Sequence, residues 1–175
     1  MATSTSFPMG LPAAFKFLAM TVIIVFLVLP AGSATGAFAA QTSDRTGSVR
    51  PDGHLDFVGS DGAPVATIVI EIAKTAKARS KGLMGRTSLR MSDGMLFIFE
   101  EAEVRYFWMF NTPVSLDMIF IDPERRIVHI AESTQPMSTQ TYSSRFPARY
   151  VVEVPAGFVR FFKIKTGMRV QWRYR

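Results

Sequence analysis

The sequence predicts a mainly β domain, an antiparallel β-sandwich or barrel of about eight strands and two short helices. Three observations carry that expectation. Short runs rich in β-branched and aromatic residues recur from His54 to Tyr174, with turn residues between them. The intervening stretches lack the helices of ten or more residues that a parallel sheet needs. No repeat, heptad or low-complexity tract offers another architecture.

The elements follow in order. His54–Val58 and Val65–Ile72 read as strands around the turn Gly59-Ser60-Asp61-Gly62, and Thr75 is placed to cap a short helix from Ala76 to about Met84. The run Met95–Phe99 is short and wholly apolar, as a buried strand is, and Glu100, Glu101 and Glu103 return the chain to water. Arg105–Phe110, Leu116–Asp122 and Ile127–Ala131 form a meander of closely spaced strands. The polar stretch 132–148, with its two prolines, is long enough for an arm or a lid. Tyr150–Val154 is a further strand, Pro155 suits the first turn of a helix over Ala156 to about Phe162, and Met168–Tyr174 closes the sheet.

Ahead of this body the composition changes. Of the first 39 residues 25 are apolar, and Lys16 is the only charged one. It precedes the apolar run 17–29, then Pro30 and Ala37-Phe38-Ala39, the order of basic residue, short apolar core and small-residue cleavage site of a secretory signal. Residues 1–39 are therefore expected to be a signal peptide and 40–53, polar and aperiodic, a disordered linker to a single domain over 54–175. At about 1.5 Å per residue, thirteen helical residues fall short of a ~30 Å hydrocarbon core, so the expected location is periplasmic or secreted, with membrane contact only through an uncleaved leader.

Several classes drop out. With no cysteine, the chain has no disulfide scaffold, thiol catalyst or Cys-ligated metal, and two histidines make a poor metal centre. No cofactor or metal is expected. Beyond Ala39 the charge is 19 basic against 14 acidic residues, spread without a basic run, which argues against nucleic acid. The methionines lie mostly in apolar strands, where Met fills irregular gaps, although a thioether copper(I) site is the alternative.

Candidate chemistry gathers around one hairpin. Asn111, Thr112 and Asp117 follow Trp108 and Met109, polar groups on a loop between apolar strands. Alternation sends Trp108 and Phe110 to one face and Phe107 and Met109 to the other, leaving a large aromatic near a rim. The plain alternative is a tight turn in which Asn111 and Thr112 bond their own backbone. Asp117 and Glu153 are the carboxylates flanked on both sides by strand residues. A pair of this kind could cleave a glycosidic bond, whereas an arginine from Arg79, Arg86, Arg105 or Arg149 would make either acid purely structural.

The segments Arg79–Arg86 (RSKGLMGR), Asp93–Phe97 (DGMLF), Phe107–Thr112 (FWMFNT), Leu116–Ile121 (LDMIFI) and Tyr150–Gly157 (YVVEVPAG) together resemble the uncharacterised domain-of-unknown-function family number 192 over about residues 65–171. The resemblance implies a compact β-rich domain, often exported in bacteria, with no established activity. It also singles out Arg79, Arg86, Trp108, Asn111, Thr112, Asp117 and Glu153 as ligand-binding candidates. One departure is Gly167-Met168, where the family typically shows Gly-Asp. The expected function is binding of a small polar ligand or glycan near the Trp108–Asp117 hairpin. The alternatives are a hydrolase using Asp117 and Glu153, and an envelope module that binds another protein. Oligomeric state is not legible in the sequence.

Overall fold

The computed structural model describes residues 49–175, so the expected signal peptide and residues 40–48 lie outside the described residues. These residues belong to a unit spanning Gln41–Arg175. Seven strands and two short helices occur in the order β1 (Gly53–Val58), β2 (Pro64–Ala73), α1 (Ala76–Lys81), β3 (Asp93–Phe107), β4 (Leu116–Ile121), β5 (Ile127–Ala131), β6 (Tyr142–Pro155), α2 (Phe158–Phe161) and β7 (Arg169–Tyr174). They form one sheet of order β5-β4-β6-β3-β2-β1-β7. The mainly β expectation holds, with a curled, half-barrel sheet.

The expected meander is interrupted, since β6 lies between β3 and β4, and two further details of the strands differ from the expectation. Met95–Phe99 and Arg105–Phe107 are one strand, because β6 pairs with both, from Met95↔Glu153 to Phe107↔Tyr142. The acidic residues between them sit in a bulge, where the register shifts between Ile98 and Glu103. Arg105 stabilises that bulge by pairing with Glu103 at 3.1 Å, donating to the Ala148 carbonyl and lying 4.0 Å over the Phe99 ring. Secondly, β2 and β3 run parallel, from Val69↔Asp93 to Ala73↔Phe97, while every other strand pair is antiparallel. A six-residue helix and a loop make that crossover, shorter than the helix a parallel connection was expected to need.

Alternation sorts the side chains into two cores. On the inner face of the curl, Leu55, Ile68, Leu96, Ile119, Ile127, Val152 and Val170, one from each strand, pack with Phe158 and Val159 of α2. On the outer face Leu83, Met95, Phe97, Met109, Met118, Phe120 and Val151 form a second cluster beneath the crossover and the 108–114 loop. β4 (LDMIFI), covered on both sides, is buried at every residue. The two edges of the sheet approach each other: Ile127 N–H donates to the Met168 carbonyl at 2.9 Å and Val170 N–H to that of Arg125 at 2.9 Å.

The expected linker already carries order at its end. Asp52 N–H bonds the Ile70 carbonyl, and the Asp52 carboxylate accepts from Ile72 N–H at 2.9 Å. The expected arm is likewise fastened. Thr134 bonds Leu116 in both directions, Met137 N–H donates to the Thr112 carbonyl, and residues from Tyr142 onward are already β6. Pro155 ends β6, and α2 begins only after Gly157, whose φ of 87° needs a residue without Cβ strain.

Candidate functional site

A cavity of about 420 Å³ opens on the outer face between α1 and the middle of β3. The α1 side is built by caps. The Thr75 hydroxyl accepts from Ala78 N–H at 3.2 Å, and Gly82, at φ 46°, ends the helix. A Cβ at Gly82 would meet the Phe97 ring at 3.3 Å, so its absence lets the crossover settle on β3. Arg79 fastens helix to strand. Its Nη1 donates to the carbonyls of Lys74 at 2.6 Å and Ile98 at 2.9 Å, with the guanidinium 5.0 Å over Phe99.

The opposite wall comes from the end of β3 and the loop after it. Trp108, 53% exposed, and Phe110 sit with ring centroids 5.7 Å apart at the rim, while Met109 is buried beneath them. The loop then makes a tight turn, Thr112 N–H to Met109 O at 3.1 Å, with Asn111 at φ 51°. The Asn111 carbonyl accepts from Gly85 N–H at 2.7 Å, which ties the loop to the crossover.

Glu153 lies at the floor. In β6 it pairs with Met95 on one side and Met118 on the other, so its side chain shares the outer face with two thioethers. It is 5% exposed, and burial raises its carboxyl to about 8, so the group is mainly a neutral acid at pH 7. No hydrogen-bonding or ionic partner for it stands among the described residues, and no fully enclosed side-chain oxygen is left unsatisfied. Its oxygens therefore face the cavity it lines. A protonated carboxyl offers one donor and one acceptor to whatever enters.

Four of the seven expected residues meet here: Arg79, Trp108, Thr112 and Glu153 line the same cavity. Arg86 does not line it; it pairs with Glu71 at the foot of the crossover. Asn111 turns the chain and points to solvent. Asp117 is fully buried on the other face, since it pairs with Val154 while Glu153 pairs with Met118. Its oxygens accept from Ser133 N–H at 2.8 Å and Val159 N–H at 3.0 Å, two backbone amides in place of the arginine expected from sequence. Asp117 and Glu153 are thus not brought together as a catalytic pair. Met168, the departure from the family pattern, is also remote from this cavity's lining. Sequence reasoning missed Phe97, Phe99 and Phe107 as walls; the apolar run Met95–Phe99 was readable only as core.

Fold and site together define a class: a small curled β domain with an aromatic cavity on its outer face, floored by a neutral acid. The chain belongs to DUF192, described as an uncharacterized ACR, whose model matches residues 57–172. That match starts earlier than the resemblance read from motifs, at Phe57. A UPF0127 protein of Pyrococcus abyssi (strain GE5 / Orsay) is 31% identical over 59% of this chain and 85% of its own length. One from Thermococcus gammatolerans is 26% identical over 59% of this chain and 65% of its own. Among solved structures, a Sinorhizobium meliloti 1021 protein put forward as a transcription regulator superposes with TM-score 0.66 at 32% identity, covering 69% of this chain and 92% of that one. A protein of unknown function from Novosphingobium aromaticivorans gives TM-score 0.66 at 31% identity, covering 71% and 91%. Those solved chains consist of little beyond the part they share with this chain.

Proposed function

We propose that this chain is an exported envelope protein whose domain binds a small polar ligand, such as a glycan, in the cavity floored by Glu153. The observation that carries the reading is a buried, neutral carboxyl that bonds no protein group among the described residues and opens into an aromatic cavity. Burying such an acid costs free energy unless it is compensated, and a ligand hydroxyl or amide supplies the missing partner. The half-exposed Trp108 ring offers flat apolar surface at the rim, as a sugar face needs. The export part rests on Lys16, the apolar run 17–29 and Ala37-Phe38-Ala39.

The hydrolase alternative has less support, because a two-carboxylate mechanism needs both acids on one substrate, about 5–9.5 Å apart, and these occupy opposite faces. Transcription regulation, suggested for the Sinorhizobium neighbour, finds no support in a cavity with aromatic walls and an acid floor. The test is an NMR titration of the 41–175 domain with a panel of mono- and disaccharides and small amides. Binding should shift the amides of Thr112 and Val154 with saturation. A panel that leaves them unmoved while shifting another region would place the site elsewhere. Processing is checked by the mass of the protein recovered from the periplasm of a Gram-negative host, which should begin at Ala40.

A further inference from the structure

A second cavity, of about 560 Å³, lies where the two edges of the sheet approach, and it shares no residue with the Glu153 cavity. Its lining carries Arg126, Lys163, Lys165 and Arg169, the hydroxyls of Ser60 and Thr166, and no carboxylate. The fold forces these cations together. Arg126 and Arg169 are direct partners across an isolated bridge, the position at which like charges repel. Lys163 is held at φ 56° and Gly167 at φ 87° in the loop that brings both lysines to the same concavity.

No acid lines the recess beside them. None of the four side chains forms an ion pair among the described residues, and the acids nearby stand outside the lining: Asp56 and Glu124 line a neighbouring recess that shares Arg169. Asp61 accepts from Ala63 N–H at 3.0 Å and Asp122 from the Arg126 backbone N–H at 2.7 Å. Four cations around one recess with no acid in its lining create a positive potential that attracts an anion. Guanidinium forks, ammonium groups and hydroxyl donors in one recess suit the oxygens of a phosphoryl group. The volume exceeds that of a bare ion, so a phosphate carried on a larger body fits better.

We propose that this recess binds a phosphoryl group. Two sources share that chemistry, a soluble phosphate ester and the headgroup of an anionic lipid. The lipid source has one feature in its favour: Phe161, 72% exposed, projects from α2 two residues before Lys163, as an apolar side chain does that enters an interface beside basic residues.

The test uses the protein as recovered from a Gram-negative host and two probes, glycerol 1-phosphate by calorimetry and phosphatidylglycerol vesicles by flotation, with phosphatidylcholine vesicles as the neutral control. Lys163→Gln/Lys165→Gln is compared with Lys74→Gln/Lys77→Gln, which removes the same charge from the region of α1. The proposal expects at least one probe to bind, the Lys163/Lys165 variant to bind it ten-fold or more weakly, and the control variant to stay within two-fold of wild type. Loss confined to glycerol 1-phosphate identifies a soluble ester. Loss confined to vesicles, with Phe161→Ser also weakening flotation, identifies a lipid surface. The proposal is overturned if neither probe binds, or if both variants weaken binding equally, since the attraction would then be net charge alone.

Discussion

Replacing Glu153 by Gln removes a proton equilibrium while keeping shape and size almost unchanged, so its effect on stability can be worked from the structure. In the unfolded chain the carboxyl releases its proton near its ordinary value of 4.5, whereas in the fold burial holds the proton to about 8. Between those limits the folded state binds more protons, and rising pH therefore favours unfolding. The slope is about 1.36 kcal/mol per pH unit, so the wild type should lose roughly 4 kcal/mol between pH 5 and pH 8, a ceiling that water entering the cavity lowers. For a domain of this size that is roughly 12 °C or more of melting temperature. Two other groups with shifted values titrate in or below this window. His129, lowered by burial and by Arg145, makes the fold lose stability as pH falls below about 6.5, the opposite direction. Asp52, lowered by its bond to Arg50, acts only below about 4. Both contributions cancel when wild type and Glu153→Gln are compared at each pH. The assay is urea or thermal unfolding of both proteins from pH 5 to 8. The difference should widen in favour of the Gln variant by several kcal/mol with rising pH. Parallel curves would mean that Glu153 ionises normally in the fold, and the reasoning about its burial would fail.

Other expected outcomes concern the frame around the site. Asp117→Ala strands two amide donors, those of Ser133 and Val159, and should cost about 3 kcal/mol in denaturant unfolding, at about 1–3 kcal/mol per buried unsatisfied group. Because Asp117 faces the inner core, the variant should still bind any ligand of the outer cavity. Gly94→Ala would place a Cβ 2.9 Å from the Glu153 carbonyl and 2.8 Å from Ile68 Cδ1, and should lower stability by about 1–3 kcal/mol in the same assay. Asn111→Val forces a β-branched residue to φ 51° and should cost about 1–2 kcal/mol, while Asn111→Gly should melt close to wild type.

How much could be read from sequence varies with the interaction concerned. Alternation and turn residues located β1, β2, β4, β5 and β7 to within a residue or two, because those strands are short and bounded by Gly, Pro or Asp. They failed at Glu100–Glu103, where charge suggested a break, yet pairing with β6 carries the strand through a bulge. They failed again at 132–148, where polar composition hid the first half of β6, since β6 there is partly exposed and needs no apolar alternation. The parallel β2/β3 pair left no signal, as a six-residue helix does not announce a crossover. In the site, burial of Asp117 and Glu153 was legible from their flanking residues. Their partners were not, because backbone amides and open cavity space leave no mark in a sequence. The four candidate arginines are engaged elsewhere: Arg79 with carbonyls, Arg86 with Glu71, Arg105 with Glu103, and Arg149 with Phe99 O at 3.4 Å.

The most direct test of the ligand reading is native mass spectrometry of the protein purified from its own host, beside Glu153→Leu prepared identically. Wild type should carry a small adduct of defined mass, and the variant, melting no lower than wild type at pH 7, should carry none. An adduct retained by Glu153→Leu, or a bare protein mass in both samples, would contradict a ligand site at this cavity.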